Sequence, residues 1–139
     1  MHLFRVSLRN LQPSQPYINA DKLSRMMHQL AHHPIDVQEA VPIWRLGDRL
    51  VLTDGHTRAF AAWLMGHDKI TARWETDPLD WDAYQICVRW CEESEIYSVG
   101  DLMGRVVSVA DFRVLWLDKC LQMQSQLYDQ RAQEPAHID

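Results

Sequence analysis

The sequence predicts an α+β protein: a small mixed sheet with helices, followed by a helical C-terminal extension. Three observations predict it. Four short runs with strand-type alternation, near residues 2–8, 40–44, 49–53 and 69–74, fall in the first half of the chain. Helical periodicity lies between them. Beyond about Glu75 every periodic segment has helical spacing. The 139 residues therefore divide into a domain over 1–75, a helical extension over 76–131 and a tail over 132–139 that is expected to fray.

Each element has a local reason. Phe4, Val6 and Leu8 alternate with Arg5 and Ser7, the pattern of a strand with one buried face. Pro13 and Pro16 each remove a backbone donor and bias their predecessors toward extended geometry, so no helix forms there. Asn19 is placed to cap a helix over 20–32, in which Leu23, Met26, Met27 and Leu30 share a face, and Pro34 ends it. The next two strands form a hairpin across Arg45-Leu46-Gly47-Asp48. Thr53-Asp54-Gly55-His56-Thr57-Arg58 follows at once and opens a helix with Phe60, Ala61, Leu64 and Met65 on one face and Gly66 at its end. Asp77-Pro78 reads as the N-cap and first residue of a third helix, striped by Trp81, Tyr84, Cys87, Val88 and Cys91. Ser98 opens a short helix to Leu102. Ser108 caps the last one, with Phe112, Leu115, Trp116, Cys120, Met123 and Leu127 expected to face inward.

Composition excludes several classes. No apolar run is long enough to cross a bilayer, and the N-terminus lacks the pattern of a signal peptide. Fourteen Lys and Arg against nineteen Asp and Glu give a net charge of -5, which disfavours a nucleic-acid binder that depends on phosphate neutralisation. An odd set of three cysteines, Cys87, Cys91 and Cys120, fits reduced thiols in a cytoplasmic protein. All three fall on apolar helix faces, where free cysteine acts as a small hydrophobe. A thiol pair or metal site is the sharper alternative. His28 and His32, one turn apart, are better explained by the helix C-terminus than by a metal. The six tryptophans are packing anchors by default. Trp90, off the main stripe, is a candidate, with Tyr84 or Trp116, to cover a ligand pocket or to form a contact between two copies.

The junction Asp54-Gly55-His56-Thr57-Arg58 carries the chemistry. A strand that turns at Asp-Gly into a helix gathers free amides and the positive dipole end in one place, which favours an anion. Gly55 allows close approach to the backbone. Arg58 offers a fork suited to phosphate or carboxylate, and His56 could donate to the same anion or shuttle a proton. An equally weighted alternative is that Asp54 caps the helix while His56 and Arg58 face water.

The first 75 residues resemble the ParB/sulfiredoxin-like superfamily. Leu11-Gln12-Pro13-Ser14 resembles the loop before the first helix of sulfiredoxins, and Lys22 falls where that family has a lysine on ATP. Gly55-His56-Thr57-Arg58 is similar to their Gly-Cys-His-Arg signature, to the Asp-Gly-His-His-Arg element of ADP-dependent free serine kinases and to the Gly-Glu-Arg-Arg phosphate box of chromosome-partitioning ParB proteins. The resemblance implies a pocket for a nucleotide or phosphate. The departures narrow it. Sulfiredoxin's catalytic cysteine falls on His56, its nucleotide-contacting histidine on Thr57, and the glutamate base of the serine kinases on Gln15, which cannot take a proton. Glu39 is the nearest other carboxylate in sequence.

The expected function is binding of a small phosphate-bearing ligand, a nucleotide such as ATP with Mg²⁺. Ser14, Gln15, Lys22, Arg25, Gly55, His56, Thr57 and Arg58 would line the pocket. If the protein is an enzyme, phosphoryl transfer or nucleotide hydrolysis fits. Asp54 would then hold Mg²⁺ or orient the acceptor, His56 would assist proton transfer, and Glu39 is a secondary catalytic candidate. The alternative is a non-catalytic relative that serves protein–protein interaction. A homodimer is compatible with either, and neither reading involves a membrane or, given the charge, a nucleic acid.

Overall fold

The computed structural model describes residues 2–33 and 39–134. Strands β1 (Phe4–Ser7), β2 (Leu11–Pro13), β4 (Val41–Leu46), β5 (Arg49–Leu52) and β6 (Lys69–Trp74) form a mixed sheet in the order β1-β6-β4-β5-β2. The hairpin pair β4–β5 and the pair β1–β6 are antiparallel, while β4–β6 and β5–β2 run parallel. Parallel neighbours need crossovers. Helix α1 (Ala20–His32) lies between β2 and β4 in the chain, and α2 (His56–Leu64) returns it from β5 to β6. Asn19 caps α1 as expected, its Oδ1 accepting from the amides of Asp21 and Lys22 at 3.0 and 3.3 Å. The expected stop at Pro34 lies outside the described residues.

The extension starts later than the sequence suggests. Helix α3 spans Trp81–Glu93 with Asp80 as its N-cap, Oδ1 accepting from Ala83 N at 3.3 Å. Asp77-Pro78 precedes the helix. The true cap has a second role: Arg131 of the last helix grips both Asp80 oxygens at 2.8 and 3.0 Å and reaches Asp82 at 3.1 Å. That contact holds Asp80 below the usual carboxylate range. A 3₁₀ turn, Val99–Leu102, has the expected Ser98 cap, with Asp101 completing a reciprocal capping box.

The last helix is one rod in three parts: α4 (Val109–Phe112), a π-helical stretch (Arg113–Leu117) and α5 (Asp118–Gln133). The wider π turn adds a residue and rotates the faces on either side of it. Phe112 and Met123 are buried, but Leu115, expected inward, is 39% exposed. α5 runs to Gln133, so the expected tail is helical at residues 132–133; residues 135–139 lie outside the described residues.

The core does not divide at residue 75. Leu8, Leu11, Val41, Leu52, Phe60 and Ala72 pack in one cluster with Cys91, Ile96, Val99 and Leu102. A two-stranded parallel ribbon, β3 (Ile18–Asn19) with β7 (Val106–Val107), fastens the far end of the chain to the start of α1. Arg105 adds to this tie, donating to Pro16 O at 2.9 Å and lying 4.3 Å over the Tyr17 ring. A smaller cluster of Ala83, Cys87 and Met123 joins α3 to α5. No helix among the described residues is long and apolar enough to cross a membrane.

Gln12 couples the two halves. It is 3% exposed, donates to the carbonyls of Ile96 and Pro13 at 2.9 Å each, and accepts from Arg49 at 2.7 Å. Gln12→Leu strands the buried Ile96 carbonyl, at a cost of about 1–3 kcal/mol. Urea unfolding of the two proteins should show this loss as a lower midpoint in one transition. Two separate transitions would contradict a shared core.

Candidate functional site

Three residues separate the end of β5 at Leu52 from the start of α2. Gly55 is the N-cap, with φ 75° and ψ 24°, a left-handed conformation that glycine adopts without steric cost. A Cβ there would lie 2.9 Å from Val41 Cγ1. Asp54 does not cap the helix. Its Oδ1 accepts from Gly55 N at 2.8 Å, and no side chain caps α2. The first helical bond runs from Ala59 N to Gly55 O, at 2.9 Å. The amides of His56, Thr57 and Arg58 precede it and have no intrahelical acceptor, so the dipole's positive end is presented there.

A cavity of about 410 Å³ opens on this helix start. Lys22 and Arg25 from α1 and Arg58 from α2 line it, with Gln15 and Asp54 to Thr57. Met26, Phe112, Trp116 and Leu117 supply apolar wall. Lys22, Arg25 and Arg58, grouped in the sequence reading, thus lie on one cavity. Arg58 is the deepest of the three, its side chain 18% exposed. One end of its guanidinium, Nη2, lies 3.7 Å from Glu39 Oε2. Its Nε is buried and has no hydrogen-bond partner among the described residues, a donor whose desolvation none of them offsets. Glu39 is 75% exposed and paired to Arg58, which makes it a rim residue rather than a base aimed into the cavity.

His56 departs from expectation. It is 4% exposed, and its Nε2 accepts from the Ser14 amide at 2.9 Å. A backbone N–H can only donate, so this bond fixes the tautomer: Nε2 bare, Nδ1 protonated, the ring neutral. Burial pushes its pKa down to about 4, against an opposing pull from the Asp54 charge. The proton-transfer role expected of His56 therefore lacks its free basic nitrogen. The residue instead pins the Pro13–Ser14 loop to α2, while Ser14 Oγ donates to Leu52 O at 2.7 Å.

A second cavity, also about 410 Å³, lies on the other side of Asp54 and His56. Gln15, Asp54, His56 and Trp116 line both. Ser14 lines this second space and not the first. Its charged lining is acidic: Asp54, Asp77 and the buried Glu75, which accepts from Thr53 Oγ1 at 2.9 Å and from the amides of Thr76 and Asp77. Tyr84 closes one side, donating to Thr53 O at 3.0 Å, and burial raises its pKa to about 12.

The sequence missed the walls more than the motif. Phe112 was expected simply to pack inward, and Trp116 to pack inward or to join Trp90 over a pocket; both border the cationic cavity. Trp90 does not line it; Lys119 Nζ sits 4.2 Å over the Trp90 ring, in a groove on the other side of α5. His28 and His32 stack at 4.3 Å, and no group of three metal-ligating side chains occurs among the described residues. Among the described residues, Asp54 is the carboxylate that lines the cationic cavity and could contact a metal there. That fits Mg²⁺, which is held by one or two carboxylates together with substrate phosphates.

No family model matches the chain, and no curated protein matches it by sequence. Among solved structures it is similar to protein Atu1540 from Agrobacterium tumefaciens, with 16% identity over 69% of this chain and a TM-score of 0.47. The match spans half of that protein's length (50%). It is also similar to sulfiredoxin from Arabidopsis thaliana, with 13% identity, 64% of this chain, 99% of the other and a TM-score of 0.48. The α+β class expected from the sequence is seen in the structure itself, in its mixed five-stranded sheet and helices, and no activity comes to this chain from either likeness.

The neutral His56 makes stability depend on pH. Its folded pKa of about 4 lies below the ordinary 6.5, so the unfolded chain binds the proton more tightly and stability falls as pH drops from about 6.5 toward 4. The loss should reach about 2 kcal/mol by pH 5 and about 3 kcal/mol in all. His56→Gln keeps an acceptor for Ser14 N but does not titrate. Its unfolding free energy should lack that component between pH 7 and pH 5, and an unchanged pH slope would refute the assignment.

Proposed function

We propose that the protein binds the phosphates of a nucleotide at the start of α2. The observation that carries this is the buried, unpartnered Nε of Arg58 beside an uncapped helix start, with Lys22 and Arg25 on the same cavity. Three cations, free amides and a helix dipole converge on a cavity lined by Asp54, with Glu39 paired to Arg58 at its rim. The apolar wall of Met26, Phe112 and Trp116 suits a flat base. Mg²⁺ would be held by Asp54 and the phosphates, where it would neutralise charge.

The reaction class that fits is phosphoryl transfer, to water or to an acceptor in the second cavity. Arg58 and the helix amides would hold phosphate oxygens in place. Four residues could be considered as base. Gln15 does not titrate, His56 has Nε2 engaged, and Glu39 is at the rim. Asp54 remains, the one carboxylate on both cavities, placed to accept a proton from an incoming hydroxyl or to orient it.

Thermal denaturation with ATP, ADP or inorganic phosphate, each with and without Mg²⁺, tests the reading. A ligand at a hundred times its Kd adds about 2.7 kcal/mol to the folded state and raises Tm. Lys22→Ala removes an exposed side chain and should fold normally. Arg58→Ala should weaken binding by about 10- to 100-fold, the worth of a hydrogen bond to a charged group. No stabilisation by any of these compounds would refute phosphate binding. It would leave the interaction reading, for which the exposed Val114, Leu117, Leu121 and Tyr128 of the last helix are the available surface.

A further inference from the structure

The three cysteines separate into a pair and a single residue. Cys91 is fully buried in the main core, among Ile96, Val99 and Leu102. Cys87, one turn earlier on α3, faces the other way, into the small cluster shared with Met123 of α5. Cys120 of α5 lines the same cavity as Cys87, and an interaction between the two thiols couples them. Both sulfur-bearing residues line the acidic cavity, which gives a small molecule a route to them. Thiols sealed in apolar surroundings are inert. This pair is different, because its members come from different helices and border the same open space.

The two thiols are also unequal. The interaction with Cys120 and burial push the Cys87 thiol up. The same interaction pulls Cys120 down, burial opposes this, and the Lys119 charge assists it. Cys120 is the less buried of the two. The thiolate is the attacking species in oxidation by peroxide, so Cys120 reacts first and Cys87 resolves.

We propose that Cys87 and Cys120 are a modification site for small peroxides, which close the pair to a reversible disulfide between α3 and α5. With hydrogen peroxide as oxidant, the Cys120 thiolate attacks one peroxide oxygen. The O–O bond breaks, hydroxide leaves, and Cys120 becomes a sulfenic acid. The Cys87 sulfur then attacks the Cys120 sulfur. The S–O bond breaks and, with the Cys87 proton, the hydroxyl leaves as water. Two thiols and one peroxide give one disulfide and two waters. Closure would bring the two sulfurs to about 2.05 Å. The proposal is independent of phosphate binding.

The test uses the whole protein with hydrogen peroxide alone. Free thiols counted after denaturation should fall from three to one, the mass should drop by two hydrogens, and a peptide map should join the Cys87 and Cys120 peptides. Dithiothreitol should restore all three. Cys87→Ser removes the resolving thiol, so Cys120 sulfenic acid should accumulate and be trapped by dimedone. Three thiols surviving at a peroxide dose that oxidises exposed methionines would overturn the proposal. So would a cross-link through Cys91 or between two chains. The wild-type measurement decides the matter even if a variant fails to fold.

Discussion

The bond from the Ser14 amide to His56 Nε2 is the contact on which the site depends. It joins the end of β2, at one edge of the sheet, to the first turn of α2, which leaves from the neighbouring strand β5. Without it the Pro13–Ser14 loop has no fixed distance from the helix start, and Gln15 has no fixed place between the two cavities. The bond requires a neutral imidazole, and burial supplies one. An aspartate or lysine at that position would bring a charge into a space 4% exposed. A histidine beside a cation-lined cavity is thus used here for its acceptor nitrogen, and its charge is suppressed.

Around that fixed point the protein separates its charges. The chain is acidic as a whole, at -5, yet the cavity at the start of α2 gathers Lys22, Arg25 and Arg58, while the one beyond His56 gathers Asp54, Asp77 and Glu75. The acids of the second cavity are internally satisfied: both Glu75 oxygens accept hydrogen bonds. Arg58 is not, since its Nε has no partner. The asymmetry places the unmet polar demand, a donor without an acceptor, on the cationic side.

Much of the fold was legible in the sequence because it rests on local signals. Asn19 before an apolar period of 3.6, Gly47 in the hairpin and Gly55 at the strand–helix turn each specify a backbone conformation within a few residues. The site was legible for the same reason, in that Gly55 to Arg58 is a contiguous motif. What stayed hidden is non-local. Nothing near Gln12 announces that its amide will reach Ile96, 84 residues away. The alternation of β3 and β7, two residues each, is too short to detect. The cap of α3 was misplaced because Asp77-Pro78 and Asp80 are both sound caps, and the choice falls to Arg131, a distant partner. The π turn, which exposes Leu115, leaves no mark in the apolar period.

These long-range ties also explain why the last helix belongs to the site although it is weakly held. Its packing on α3 rests on a small cluster around Cys87 and Met123 and on the surface contact of Arg131 with Asp80, and a surface ion pair is worth at most about 1 kcal/mol. Much of its outer surface is apolar and exposed at Val114, Leu121 and Tyr128. Yet Phe112, Trp116 and Leu117 from this same rod form a wall of the cationic cavity. A wall made by an element of low local stability links ligand binding to the docking of that element. Any molecule that contacts Trp116 favours the packed helix, and anything that fixes the helix pre-forms the cavity. The linkage is reciprocal by thermodynamic necessity. The helical extension is therefore the part of the chain through which occupancy of the site and order at its far end are coupled.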